Sequence, residues 1–435
     1  MRAAHDPDSP ATRLKLFRDE LAIESPALFG KNAIKTKAGS KAPPRQPTFR
    51  EELLKEDPTI GEPNFAELLG KPGIWKQIFF ASALGICVFF YAADRANLDT
   101  RWLIAAHAAP FLASNDRLRH LRKRLLTDKL GKILKRTQDA VSFIPKIITT
   151  PFLWMFVKAS NAYISSSEGT RAAYQICFIN GVVWIMWQIN SLKPFMKAHF
   201  THNPLSGRYI TLLTSVFSHQ SFIHLLANSF ALVSFGSAAT SYLMAKQTQN
   251  KEGFLESTPK YQFLAAYIGD ETSFFHTLAG LFSALASHVV AARIAYPRIL
   301  AELRSSKAAK VALSNATTTL RNFGETAKES AAMNVPRAIL PSLGASGAIY
   351  GTVLITAFAY PDAEVFLLFP PIPLPIIWGV GGMVALDIMG IIRGWRLFDH
   401  WAHLSGAAFG LWYYKYGPDY WNAARVEMAQ QRGFK

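Results

Sequence analysis

Long apolar stretches alternate with short charged segments along most of this chain. The clearest stretch covers residues 172–192, which hold no charged side chain and reach the length of about 20 residues that lets a helix cross a bilayer. Together with similar stretches it predicts about seven membrane-spanning helices. The predicted spans cover residues 78–93, 172–192, 222–245, 273–292, 344–360, 376–392 and 400–416.

Charged residues and prolines mark where several of these spans should end. Asp94 and Arg95 follow the first span, and Pro361 follows the span at 344–360. That last span is short for a bilayer, so we expect one of its ends to lie in a cavity, where a buried polar group is tolerated. A further apolar patch at 103–113 is too short to cross, and we expect it at an interface.

The chain is strongly basic, with 47 Lys and Arg against 30 Asp and Glu in 435 residues, a formal charge of +17. The cations sit beside predicted spans, so attraction to anionic lipid head groups explains them. The basic loops lack interleaved aromatic residues that stack on bases, and we expect no nucleic-acid partner. Cys87 and Cys177 both fall inside predicted spans, which favours small buried side chains over a disulfide or a metal site.

Residues 117–136 combine a dense set of cations with leucines and isoleucines at helical spacing. This pattern predicts a basic amphipathic helix. Two interpretations stay open with equal weight, a helix at the membrane surface and a helix that packs on its own domain with a solvated polar face.

A serine among small residues opens the span at 344–360. The motif is Gly344-Ala345-Ser346-Gly347-Ala348-Ile349-Tyr350-Gly351. A serine hydroxyl becomes a nucleophile when an adjacent base takes its proton, and the best candidate base is His403 in the last span. Two groups can suffice where packing fixes the imidazole, so this pairing does not require a carboxylate.

Glycines on both spans make that pairing feasible. Gly347 and Gly351 form a G-x-x-x-G pattern on the serine helix, and Gly406 and Gly410 form another on the histidine helix. Small residues at this spacing let membrane helices approach closely. Gly344-Ala345-Ser346-Gly347 alone is more typical of helix packing, and only its conjunction with His403 favours chemistry.

Further polar residues lie in apolar surroundings. His224 and Asn228 are four residues apart on one helix face, so their side chains and the Ser346 N–H could stabilise an oxyanion; the alternative is a structural polar pair. His219, His224, His400 and His403 could converge on zinc, but no H-E-x-x-H spacing is present, and we expect no metal and no cofactor. Asp387 inside a span is either functional or hydrogen-bonded to a neighbouring helix.

These motifs together resemble the rhomboid family of intramembrane serine proteases. The matching residues are Gly344-Ala345-Ser346-Gly347 with Tyr350-Gly351, the pair His224 and Asn228, and His403 with Gly406 and Gly410. More narrowly, three segments are similar to the mitochondrial presenilin-associated rhomboid-like branch. They are 218–222, 343–349 and 399–407.

The resemblance implies a Ser346–His403 dyad in a six-helix, all-α polytopic membrane core that one extra helix precedes. It implies a mitochondrial inner-membrane endopeptidase that cleaves single-span membrane proteins, a dynamin-like fusion GTPase among the substrate types. A Trp-Arg pair common in bacterial members is absent from residues 193–217. An inactive family member that binds membrane clients and a transporter are the rival hypotheses; the intact dyad argues against the first, and the lack of paired repeats against the second.

The resemblance also organises the chain into regions. The first thirty residues are acidic for a mitochondrial presequence, whereas residues 31–50 are basic. We expect an extramembrane region at 1–70 that is also a candidate targeting region, an extra transmembrane helix at 74–95, a basic linker at 96–170, the rhomboid core at 171–418 and a tail at 419–435.

Overall fold

The computed structural model describes most of the chain beyond its first seventy residues. The described residues are 71–107, 113–249, 254–267, 278–304, 339, 341–366, 372–395 and 398–434. The predicted N-terminal region at 1–70 lies outside them. The chain divides into two compact units, and one of them, Gly73–Pro204 with Arg208–Ala291 and Leu340–Lys435, contains every site residue considered below.

Helices make up nearly all regular structure in the described residues. In chain order they are α1 (Trp75–His107), α2 (Asn115–Ala140), α3 (Lys146–Ser165), α4 (Glu168–Gln188), α5 (Lys193–His199), α6 (Thr211–Thr214), α7 (Phe222–Gln249), α8 (Lys260–Tyr267), α9 (Leu278–Val290), α10 (Tyr296–Arg304), α11 (Ser346–Ala359), α12 (Ile376–Arg393) and α13 (His400–Gln431). A π-helical turn, Ala291–Ala295, joins α9 to α10. Short 3₁₀ turns flank α5 and α6.

Four helices of the described chain are long and apolar enough to cross a membrane, and a bent pair adds a fifth. The four are Trp75–His107, Phe222–Gln249, Ala279–Ala301 and Ile376–Arg393. The bent pair is Glu168–Gln188 with Asn190–His199, which meet at 97°. The predicted fold class, an all-α polytopic membrane protein, is confirmed, with α1 preceding the core helices α4, α7, α9, α11, α12 and α13.

The first helix extends beyond the predicted span. Asp94 and Arg95 do not stop α1, which continues to His107 and absorbs the start of the patch predicted separately at 103–113. Arg432 pairs with the Asp94 carboxylate, with Nη2 2.7 Å from Oδ2. Residues 108–112 lie outside the described part.

Three other boundaries test the predicted ends. The serine helix α11 stops at Ala359, with Tyr360 as its C-cap, directly before Pro361 as predicted. The span predicted at 172–192 ends earlier, at Gln188, where the chain bends. The last helix does not stop near 416 but runs through Pro418 to Gln431, so most of the predicted tail at 419–435 is helical.

A small antiparallel hairpin connects α11 to α12. Its strands are β1 (Glu364–Phe366) and β2 (Pro373–Pro375), with Val365 opposite Leu374. Proline has no N–H for a ladder hydrogen bond and is therefore confined to strand edges and ends. Pro373 and Pro375 stand at the two ends of β2, which accounts for its short length.

The serine helix α11 lies at the centre of the packing. Ten of its 14 residues are buried, as expected of a short helix that is apolar on all sides. It packs against α7, α9 and α13. A helix enclosed in this way holds the residue at its N-terminus, Ser346, in a fixed position.

Candidate active site

Ser346 is the first residue of α11 and is half-buried. Gly344 stands two residues before it with φ +127°, a backbone conformation that other residues rarely adopt. A Cβ on Gly344 would also lie 2.8 Å from Cε1 of His224. The glycine in this motif therefore permits both the turn into α11 and the close approach of the His224 ring.

Glycines let α11 and α13 meet backbone to backbone. A Cβ on Gly351 would lie 3.2 Å from the Gly406 carbonyl oxygen, and a Cβ on Gly410 would overlap the Gly351 carbonyl. A Cβ on Gly347 would lie 3.2 Å from the Ala402 carbonyl oxygen. Both G-x-x-x-G patterns of the sequence thus lie in one interface, which is the close approach that small residues allow.

This close approach brings His403 to Ser346. The Nε2 atom of His403 lies 2.8 Å from Oγ of Ser346, although the two residues are 57 positions apart. The imidazole is buried, and the Tyr350 ring stacks on it at 4.5 Å between centroids and 13° between planes. Packing of this kind holds the imidazole plane in line with the serine hydroxyl.

Asp387 on α12 contributes a third group that the sequence left undecided. Its Oδ1 lies 3.1 Å from Nδ1 of His403 and 2.5 Å from Nδ1 of His400, and its Oδ2 accepts from the Tyr350 hydroxyl at 2.5 Å. A carboxylate at Nδ1 holds that proton there and leaves Nε2 free to accept the serine proton. The sequence feature that points to this role is an acidic residue inside an otherwise apolar span, which is functional by default.

Asn228 and His224 both lie beside the N-terminus of α11, but they do not form a hydrogen-bonded pair with each other in the described structure. Asn228 Nδ2 lies 2.8 Å from Nε2 of His219, and the Ala345 N–H points at the same nitrogen at 3.5 Å. The His224 ring meets the His219 ring edge-on at 5.0 Å. His219, considered in the sequence only as a zinc ligand, thus connects Asn228 to the residue before Ser346.

Two N–H groups directed at one nitrogen determine the tautomer of His219. Its Nε2 must accept, so any ring proton lies on Nδ1. Burial of the ring, and to a smaller extent the positive charge that the neighbouring His224 can carry, lowers the pKa of His219 to about 4. A neutral ring uses one of the two amide hydrogens of Asn228 and leaves the other free to donate elsewhere.

The four histidines of the zinc alternative are engaged in different groups. His219 contacts Asn228, whereas His400 and His403 both contact Asp387. Across the described ranges, no group of three or more His, Cys, Asp or Glu side chains is arranged to hold a metal ion.

Comparison with known proteins supports what this geometry indicates. The family model described as "Rhomboid domain" matches residues 206–417, which include Ser346, His403, Asp387 and Asn228. Residues 206–417 are a rhomboid domain. The family resemblance predicted from the motifs is therefore confirmed.

Similarity to curated relatives supports the predicted branch as well. The chain is 30% identical over 253 residues to presenilin-associated rhomboid-like protein A, mitochondrial, of Danio rerio, covering 58% of this chain and 49% of that protein. The Homo sapiens presenilin-associated rhomboid-like protein, mitochondrial, is 30% identical over 257 residues, which cover 58% of this chain and 49% of that protein. Rhomboid protein 1, mitochondrial, of Saccharomyces cerevisiae is 26% identical over 245 residues, which cover 55% of this chain and 51% of that protein.

The chain spans about half the length of the curated relatives it matches. No solved structure shows a significant match to it.

Proposed function

We propose that this rhomboid protein is an intramembrane serine endopeptidase. The proposal rests on two contacts of the His403 ring: its Nε2 lies 2.8 Å from Ser346 Oγ, and its Nδ1 lies 3.1 Å from Asp387 Oδ1. A nucleophile in contact with a base, and a base oriented by a third group, is the arrangement that activates serine. The family of the domain is consistent with this chemistry.

Each residue has a distinct role in the proposed reaction. Ser346 Oγ attacks the scissile carbonyl while its proton passes to His403 Nε2. The carboxylate of Asp387 stabilises the resulting imidazolium through Nδ1–H. His403 then donates its proton to the departing amine, and a water molecule, deprotonated by the same histidine, releases the acyl group from the serine.

Negative charge that develops on the substrate oxygen needs donors already in place. His224 lies beside Gly344, and Asn228 bonds His219, which the Ala345 N–H also meets. Together with the Ser346 N–H, the His224 ring and the second amide hydrogen of Asn228 are the candidates for this role. Replacing Asn228 with Ala should lower turnover roughly a hundredfold or more, as for single donors elsewhere, while substrate binding changes little. A loss of thermal stability with normal turnover would instead identify Asn228 as a structural residue.

The proposed substrates are single-span membrane proteins, because the nucleophile lies on a helix that packs against Phe222–Gln249 and Ala279–Ala301, which are long and apolar enough to cross a membrane. We place the enzyme in the mitochondrial inner membrane, by analogy with relatives named mitochondrial. A dynamin-like fusion GTPase is the first substrate type to test, since the family resemblance implies it.

The decisive experiment is fluorophosphonate labelling of the full chain purified in detergent. Ser346 should be labelled, and neither Ser346→Ala nor His403→Ala should react. Ser405→Ala, which removes a half-buried hydroxyl that donates to backbone carbonyls of its own helix, is the matched control and should label like the parent. EDTA should leave labelling unchanged.

Two outcomes would refute the proposal. A folded parent protein that does not label at Ser346 would favour an inactive rhomboid that binds membrane clients. Inhibition by EDTA that zinc reverses would favour the histidine cluster as a metal site.

A further inference from the structure

The helical hairpin formed by α2 and α3 lies outside the catalytic site and presents apolar surface to its surroundings. None of the 20 residues of α3 is buried. Ile147 is 83% exposed, Trp154 is 62% exposed and Met155 is 60% exposed. Exposed apolar side chains grouped on one element mark a site of interaction with protein or membrane.

The neighbouring helix α2 supplies positive charge beside this apolar surface. Arg119 and Arg122 have carboxylate partners. Six other cations of α2 are exposed, and among the residues that the structure describes they have no ion-pair partner: Lys123, Arg124, Lys129, Lys132, Lys135 and Arg136. A cationic surface of this density attracts anions.

The hairpin is attached to candidate membrane spans at both ends. Helix α1 precedes it, and α4, which starts at Glu168, follows Ser165 at the end of α3 almost directly. Helix α3 itself is not among the described helices that are apolar enough to cross. The two ends of the hairpin are therefore held close to a bilayer that α3 does not span.

We propose that the α2–α3 hairpin docks onto the surface of a bilayer leaflet that contains anionic phospholipids. The apolar side chains of α3 enter the boundary between head groups and acyl chains, and the free cations of α2 contact the phosphates. Helix α3 carries no acidic residue, and its Lys158 Nζ lies 5.6 Å from the centre of the Trp154 ring. An aromatic ring beside a lysine is typical of this boundary region.

Charge favours lipid over a second copy of the same chain as the occupant. Two hairpins facing each other would bring their unpaired cations together, which is repulsive. Anionic head groups neutralise those cations and also offer the apolar layer that α3 needs.

The test uses the full chain reconstituted into vesicles of phosphatidylcholine, alone or mixed with phosphatidylglycerol. Cys87→Ala and Cys177→Ala remove the native thiols, and Ile148→Cys on α3 carries an environment-sensitive NBD label. In mixed vesicles the label should show blue-shifted emission and protection from aqueous iodide, and salt should weaken both effects.

Charge-altered variants connect this signal to α2. Reversal of four cations (Lys129→Glu, Lys132→Glu, Lys135→Glu and Arg136→Glu) should remove the effect of phosphatidylglycerol. At roughly fivefold per cation lost, docking should weaken at least several-hundredfold, and the added carboxylates should weaken it further. The charge-preserving set Lys129→Arg, Lys132→Arg, Lys135→Arg and Arg136→Lys is the matched control and should behave like the parent.

Three results would overturn the proposal. The first is equal emission in both kinds of vesicle. The second is an unchanged response in the charge-reversed variant, with its folding checked by thermal unfolding. The third is protection that depends on the protein-to-lipid ratio rather than on phosphatidylglycerol, which would identify contact with another copy.

Discussion

At the scale of single residues, Asp387 determines which nitrogen of His403 faces the serine. Its Oδ1 accepts from Nδ1 of His403, so Nε2 is directed at Ser346 without its own proton. The sequence argument allowed packing alone to hold this imidazole. The Tyr350 hydroxyl and His400 also bond the carboxylate, which holds it in place.

Asp387→Asn therefore tests whether the carboxylate is needed. We expect turnover to fall by on the order of a hundredfold or more, with little change in KM, because an amide at this position favours the wrong tautomer. The pH profile of turnover should shift as well, which a merely structural role would not cause. Asp362→Asn neutralises an exposed carboxylate and is the control; equal turnover in the two variants would show that Ser346 and His403 suffice.

His219 makes folding stability sensitive to acid. Its pKa is about 4 in the folded protein because it is buried, whereas an unfolded chain has the ordinary value near 6.5. The unfolded state therefore binds the proton first as the pH falls. Above about pH 6.5 this group does not lower the free energy of unfolding, because His219 is neutral in both states. Between pH 6.5 and pH 4 the free energy of unfolding falls progressively as the pH falls.

His219→Gln should flatten this acid dependence. The parent loses up to about 3 kcal/mol from this group between pH 6.5 and 4, and glutamine can still accept from Asn228 without taking up a proton. Thermal unfolding midpoints measured in detergent across this range give the comparison. His120→Gln replaces an exposed histidine on α2 and should keep the parental slope; a parental slope in His219→Gln would contradict the assignment.

At the scale of elements, the crossing of α11 over α13 sets the geometry of the site. Gly351 and Gly410 meet there with no room for a Cβ on Gly410. The short distance between Ser346 and His403 therefore depends on these two residues being glycines, which have no side chain to separate the helices. A methyl group at this crossing must push the two helices apart.

Gly410→Ala should reduce both stability and reactivity. Overpacking costs about 1–3 kcal/mol, and a displacement of about 1 Å in a catalytic pair can cost roughly a hundredfold in rate. Gly382→Ala on α12, where a Cβ would meet nothing within 4 Å, is the matched control and should be neutral or stabilising. Unfolding midpoints and the rate of Ser346 labelling measure both effects, and normal labelling of Gly410→Ala would contradict this account.

At the scale of the whole molecule, a buried polar cluster joins helices from opposite ends of the sequence. Arg425 on the extension of α13 lies 3.0 Å from Glu256 and bonds the side chain of Asn97 on α1 at 3.0 Å. Trp421 Nε1 donates to the same glutamate at 3.2 Å. These side chains are almost fully buried, so each charge depends on its partner.

Arg425→Met should leave the Glu256 carboxylate buried without its cation. Such a loss typically costs about 3–5 kcal/mol, and the unfolding midpoint should drop accordingly. The double variant Arg425→Met with Glu256→Gln should recover much of the loss, because glutamine is neutral and still accepts from Trp421. A double variant no more stable than the single one would show that the arginine acts through the hydrogen bonds that it donates to the backbone carbonyls of Phe254 and Leu255.

The sequence by itself determined the features that depend on local pattern. Apolar runs located most spans, Pro361 marked the end of α11, and three separated motifs identified the family. The G-x-x-x-G patterns anticipated that the helices of Ser346 and His403 approach each other. These signals are readable because bilayer thickness, proline geometry and small-residue packing act on neighbouring residues along the chain.

Only the tertiary structure decided which distant polar groups meet. Asp387 and His403 lie on different helices, and their contact depends on how α12 and α13 are placed against α11. His219 bonds Asn228 for the same reason, and Asp94 pairs with Arg432, 338 positions later. A polar or charged residue in an apolar span must find a partner, but its own stretch of sequence does not specify which residue that partner is.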